Sequence, residues 1–191
     1  AKNYEIIDEE ELLKFDDFSK LFEELSINII YKEEFNKRLK WYYALILKFC
    51  FIHKYFETID DNLVIWEGDT IVLKKINFFK NNRSIPYCYV TFFHKIFFEV
   101  CNEMLRKLPK YYGSFITQFG SITKDEANHM FKSLSLENQD NKNFNKLFSK
   151  KVLSAVFNTQ KTYDNAMFAD YELIGINNLN LNFQKQIPIF F

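Results

Sequence analysis

Four glycines and three prolines are all that interrupt 191 residues, where average usage would give roughly 13 and 10. Sandwiches and barrels need turn residues about every 8–12 positions. A chain this poor in breakers is committed to helices joined by a few short strands. Its 48% apolar content supplies core enough for one large domain or two small ones, and excludes a disordered chain despite 26% charged residues. Phe, at 23 copies, accompanies abundant Asn, Lys and Ile, a bias that an AT-rich coding sequence produces without functional meaning.

Asp8 with Glu11 reads as a capping box opening a helix to about Leu25, with Leu12, Phe15, Leu21, Phe22 and Leu25 inward and an acidic outer face. Residues 26–30 are short and β-branched and predict a brief strand. A long helix is expected over 32–56, because Phe35, Leu39, Tyr42, Ile46, Phe49, Cys50 and His53 fall within one arc at about 100° per residue. Between Trp41 and Ile52 apolar residues wrap almost the whole cylinder, which marks this helix as central. Pro86 and Pro109 bound another helix to Leu108. Val90, Phe93, Phe97, Val100, Cys101 and Met104 lie inward, with Lys95, Glu99, Asn102, Glu103 and Arg106 outward. Thr123 and Glu126 form a second capping box, opening a helix to about Leu136 with Ala127, Met130, Phe131 and Leu134 inward. Residues 137–143 read as a polar loop. One continuous helix over 145–160 would turn Lys151 into the arc of Phe144, Leu147, Phe148 and Ala155. Ser149 is therefore expected to cap a new helix from Lys150, burying Val152, Leu153, Val156 and Phe157.

At two places the period changes from helical to alternating. Residues 63–66 and 70–73 flank Glu67, Gly68 and Asp69, which predicts a hairpin with Gly68 supplying a positive φ. Residues 171–176 and 179–183, split by Asn177 and Asn178, predict a second hairpin, while residues 81–84 read as a loop. Ile30, Tyr31, Lys32, Glu33 and Glu34 can be laid on Ile122, Thr123, Lys124, Asp125 and Glu126. Helix, short strand, two helices and hairpin recur in the same order around both segments, and that is the order of a winged helix. The expected fold is mainly α with small β-hairpins, an α+β chain of tandem winged-helix domains. The first spans 1–108, with 77–108 partly an insertion or linker helix, and the second spans 109–191.

Few residues offer chemistry. No Gly-rich phosphate loop, dinucleotide fingerprint or nucleophile elbow occurs, and Gly113 with Ser114 lacks the second glycine and the strand that an elbow needs. Cys50 with His53, and His94 with Cys101, lie on apolar helix faces at spacings that match no zinc finger or ribbon. Cys50, Cys88 and Cys101 are expected to be buried, unreactive thiols in a reducing compartment. Acids at 9–11 and 16–17 complement helix dipoles rather than form a cleft pair. The expectation is a non-enzyme without metal or cofactor. No signal peptide is visible, and the apolar stretch 41–52 is interrupted by Lys48 and too short to span a bilayer. A soluble, intracellular protein is expected, with no membrane partner. A chain opening on Ala1 reads as a fragment of something longer.

Charge distribution says more than the balance of 25 basic and 25 acidic residues. Residues 1–24 hold nine acids against three lysines. Residues 70–98 hold Lys74, Lys75, Lys80, Arg83 and Lys95 and no acid, and residues 141–163 hold Lys142, Lys146, Lys150, Lys151 and Lys161 and no acid. Two basic islands with nearby aromatics (Trp66, Phe78, Phe79, Phe157, Tyr163) suit contact with phosphates or with an acidic partner. They equally suit a solvated surface that neighbours the acidic helices after folding. Lysines in a first helical turn oppose the macrodipole, and an anion bound there would remove the penalty.

The strand-into-helix junction at Ile122, Thr123, Lys124, Asp125 and Glu126, the closing hairpin expected over 171–183 and the hydrophobic end resemble one family. It is the C-terminal tandem winged-helix half of the middle subunit of the CST telomere complex, a relative of the middle subunit of replication protein A. The resemblance covers nearly the whole chain in architecture and size and carries no diagnostic motif. It implies a non-enzymatic, nuclear interaction module that contacts protein subunits of a telomere or replication complex, such as telomerase or polymerase α–primase components, with some contact to single-stranded DNA. The competing readings are a winged-helix DNA-binding protein of transcription type and an unrelated helical enzyme or scaffold.

Overall fold

The computed structural model describes residues 5–56, 58, 62–68, 70–88, 94–106, 113–117, 119–159, 167–182 and 189–190. The acidic N-terminal stretch folds as two helices, not one. α1 (Glu9–Leu12) is capped by Asp8, whose carboxylate accepts from the Glu10 N–H at 3.0 Å, so the expected partnership with Glu11 is not the one formed. Leu13 and Lys14 then take extended backbone, and α2 (Phe15–Leu25) starts afresh with the Phe15 N–H donating to Glu10 Oε1 at 3.2 Å. Residues 26–30 form turns instead of a strand. The Ser26 and Ile29 amides bond back to Phe22 and Ser26 carbonyls, and Ile27 and Ile30 face water with no strand beside them. The helix expected over 32–56 breaks at Arg38 into α3 (Lys32–Lys37) and α4 (Leu39–Tyr55). Its inward arc is as read, with Phe35, Leu39, Tyr42, Ile46, Phe49 and Cys50 buried and His53 at the edge.

The hairpin expected at 63–73 does not form. β1 (Asn62–Trp66) pairs antiparallel with β5 (Phe119–Thr123), from Asn62 opposite Thr123 to Trp66 opposite Phe119. Gly68 does not take the positive φ such a turn requires. Buried β5 offers β1 a covered partner, and the Trp66 and Phe119 rings stack with centroids 5.3 Å apart. The loop read at 81–84 is itself a hairpin. β2 (Phe79–Lys80) and β3 (Arg83–Ser84) are joined by Asn81 and Asn82 at φ 54° and 56°, the paired left-handed residues of a tight two-residue turn. β4 (Tyr87–Cys88) runs parallel to β6 (Ile189–Phe190). α5 (Lys95–Leu105) begins nine residues after Pro86 and buries Phe97, Val100, Cys101 and Met104 as expected. Val90, Phe93 and Pro109 lie outside the described residues.

α6 (Lys124–Ser133) opens on the expected capping box: Thr123 Oγ1 accepts from the Glu126 N–H at 3.3 Å, and Glu126 Oε2 accepts from the Thr123 N–H at 2.9 Å. α7 (Asn141–Asn158) is continuous, contrary to the break expected at Ser149. Asp140 caps it by accepting from the Asn143 N–H at 2.8 Å, so the helix nucleates inside the presumed loop and carries Ser149 in its buried middle. Lys151 is tolerated half-buried at the margin of the inner arc. In place of the second hairpin stands α8 (Asp170–Asn182), in which every residue from Asp170 to Asn178 is buried. A helix enclosed on all sides has no polar face, so its amphipathic period vanishes from the sequence.

α7 packs against α2, α4 and α5, while α8 packs against β5, α6, α5 and α4. One hydrophobic cluster runs from Leu13 to Ile176. The expected division at 108/109 is therefore crossed by a β-ladder and by a shared core. The chain is α+β, dominated by helices with a few short, mostly antiparallel strands. Among the described residues no helix is long and apolar enough to cross a membrane.

Candidate functional site

Lys142, Lys146 and Lys150 recur every fourth residue along α7, the spacing of one surface ridge, and all three are exposed. Phe144, Phe148 and Val152 are fully buried and pin the opposite side of the helix to the core. Lys142 and Lys146 form one wall of a groove of about 880 Å³ whose other wall is α1 and α2. That second wall carries the carboxylates of Glu10, Glu11, Asp17 and Glu24, with Lys14 and Lys20 among them. Leu13, Phe18 and Leu21 form an apolar floor, and Ser149 lies in it at 1% exposure with its hydroxyl unbonded. The walls are braced against each other. Asn145 Nδ2 donates to the Leu12 carbonyl, Lys54 reaches the Glu11 carbonyl at 3.3 Å, and His53 stacks on Phe144 with ring centroids 3.8 Å apart. Asp17, Glu24, Lys142 and Lys146 form no ion pair among the described residues. The groove thus presents charges of both signs, of which Glu11 is paired with Lys54 at 3.9 Å.

The other predicted cations are dispersed. Lys151 does not line the groove, and Lys161 lies outside the described residues. Lys74 and Lys75 sit in an exposed segment after β1. Lys80 and Arg83 oppose each other across the β2–β3 hairpin, and Lys95 pairs with Glu99 at 3.2 Å on the surface of α5.

Sequence reasoning missed the buried polar cluster that α8 carries. Lys48 from α4 lies 2.6 Å from Asp170 and also bonds Glu67, to which the Tyr171 hydroxyl donates at 2.8 Å. Burial opposes the Lys48 charge, but Asp170 and Glu67 outweigh it and hold the ammonium above its ordinary pKa. One ammonium serves two carboxylates unequally. Burial pushes Asp170 up, whereas for Glu67 the bonds from Lys48 and Tyr171 overcome burial and hold it low. Two residues on, Glu172 Oε1 accepts from the Ser114 hydroxyl and from the Phe115 N–H at 3.1 Å, yet burial still lifts its carboxyl to about 7. Asn177 Nδ2 donates to the Glu126 carbonyl at 2.9 Å, and Asn178 Nδ2 to Ser84 Oγ at 2.7 Å. None of these carboxylates lines the groove. They tie α8 to its neighbours. Cys50, Cys88 and Cys101 are buried free thiols, and burial pushes Cys50 up to about 12. A thiol held protonated in this way is a poor nucleophile.

No protein-family model, curated protein or solved structure matches this chain.

Proposed function

We propose that this chain is a non-enzymatic interaction module that receives a charged segment of a partner protein in the groove between α1–α2 and α7. The observation that carries the reading is the pair of walls, one of exposed lysines and one rich in carboxylates, above an apolar floor. A segment bearing both signs of charge and a few apolar side chains would complement both walls and the floor together. The resemblance supplies the setting we propose, a nuclear subunit of a telomere or replication assembly with a winged-helix ancestry. Of its features, the β5-to-α6 junction stands, and the closing hairpin does not. The ridge of Lys142, Lys146 and Lys150 by itself suits nucleic-acid phosphates. The carboxylates across the groove repel those phosphates and favour the protein partner.

The test is affinity capture of the protein from its own cells beside a Lys142→Glu, Lys146→Glu variant that melts like the wild type. Loss of co-purifying proteins from the variant is expected, with binding to a thirty-nucleotide oligo-dT weak in both. Unchanged co-purification would refute the groove. Tight oligo-dT binding that the variant loses, with a steep salt slope, would replace the protein partner by DNA.

A further inference from the structure

We propose that residues 71–75 are a strand-addition site for an extended, acidic segment of a partner protein. After β1 and the turn in which Thr70 N–H bonds the Glu67 carbonyl, residues 71–75 join no strand ladder among the described residues. Ile71 is 82% exposed, Val72 50% and Leu73 90%. Three consecutive branched apolar residues, Ile71 and Val72 of high strand propensity, are thus left in water. Their backbone donors and acceptors, with those of Lys74 and Lys75, make no hydrogen bond among the described residues. An unpaired backbone with apolar side chains is what an incoming strand completes, its amides giving affinity and its alternate side chains giving specificity.

Charge selects the occupant. From Thr70 to Cys88 the chain carries Lys74, Lys75, Lys80 and Arg83 and no acid. Lys74, Lys75 and Lys80 are exposed and form no ion pair among the described residues. A second copy of this chain would bring its own Lys74, Lys75, Lys80 and Arg83 to the same segment, doubling its positive charge, and exposed lysines discourage self-pairing. A membrane surface would accept Ile71 and Leu73 only by carrying their unbonded amides toward hydrocarbon, where nothing satisfies them. A strand alternating acidic and apolar residues satisfies the amides, covers the side chains and neutralises the lysines. The surface shares no residue with the groove, so the two readings fail separately.

The experiment selects displayed random twelve-residue peptides on the full chain, then titrates the enriched peptides against the wild type, Ile71→Ser with Leu73→Ser, and Lys74→Glu with Lys75→Glu. All these positions are exposed, and thermal melts check that each variant folds. Enriched peptides should alternate Asp or Glu with Val, Ile or Phe. They should lose about tenfold or more in affinity on either variant, and should fail to bind when alternate amides are N-methylated. Enriched peptides that bind both variants as tightly as the wild type, or that tolerate N-methylation, would overturn the proposal. So would an absence of enrichment, including one accompanied by binding to phosphatidylserine vesicles that Ile71→Ser with Leu73→Ser abolishes, which would assign the segment to a lipid surface.

Discussion

Glu172→Gln should make the protein more stable at pH 8 while leaving it nearly unchanged at pH 5. The carboxyl sits in α8 at 0% exposure, with Oε1 bonded by Ser114 and Phe115 and Oε2 without a hydrogen-bond partner, close to the fully buried Cys101. Burial raises its pKa from 4.5 to about 7. The folded chain therefore keeps a proton that the unfolded chain releases, and stability falls as pH rises from about 4.5 to about 7. Above that window the ionised carboxylate costs about 3 kcal/mol, at 1.36 kcal/mol for each tenfold change in proton affinity. Glutamine keeps an oxygen for the two donors and cannot ionise. It leaves an amide N–H pair where the protonated acid has one hydroxyl, at a cost of about 1 kcal/mol. Passing from pH 5 to pH 8 should therefore swing the difference between variant and wild type by about 3 kcal/mol, or roughly 6–12 °C in Tm. Calorimetric melts of both proteins at the two pH values, at equal ionic strength, measure this directly. The titrations of Lys48, Glu67 and Asp170 occur in both proteins and cancel. An equal shift at both pH values would refute the reasoning.

Lys48→Met should destabilise by about 3–5 kcal/mol, because Asp170 is left as a buried charge without its cation. Adding Asp170→Asn should recover part of the loss in urea titrations, and strictly additive losses would contradict the pairing. Gly175→Ala places a Cβ 2.1–2.5 Å from ring atoms of Phe115 and should cost about 1–3 kcal/mol. Phe115→Leu in the same chain should relieve part of that cost, and a wild-type melt for Gly175→Ala alone would disprove the close approach. Cys50, Cys88 and Cys101 should react with a thiol reagent only as the chain unfolds, so that labelling follows the unfolding rate. Rapid labelling of the native protein would contradict their burial.

What the sequence disclosed best was the helices with one wet and one dry side: in α2, α5 and α6 most inward residues were readable from spacing alone. Thr123 and Glu126 were legible because a capping box is local, involving only residues three apart. The ridge of Lys142, Lys146 and Lys150 was visible as a basic island. The groove was not, because its other wall comes from α1 and α2, more than 100 residues away in the chain. The break at Arg38 and the continuity of α7 through Ser149 also depended on neighbours. The Ser149 hydroxyl is buried without a bond in the groove floor, a placement that helix propensity alone does not favour.

The two hairpins that failed to form share one physical cause. Two short apolar, β-prone runs at 63–66 and 70–73 describe two strands but do not say what covers each of them. β5, buried on one side by α8, takes β1 and leaves 71–73 in water. Over 171–178 the pattern was the trace of a helix buried on every side. Leu173, Ile174 and Ile176 are buried beside Glu172, Asn177 and Asn178, so polar and apolar residues occupy every face. Asn177 and Asn178 looked like turn residues because isolated side-chain amides favour turns. In the fold their amides reach the Glu126 carbonyl, Ser84 and the Ser121 carbonyl, partners supplied by three other elements. A buried polar helix is stable only when nearly every polar group finds such a partner. α8 accordingly draws partners from α4, α6, β3, β5 and the segment at Ser114, and those partners converge only once the rest of the chain has folded around it.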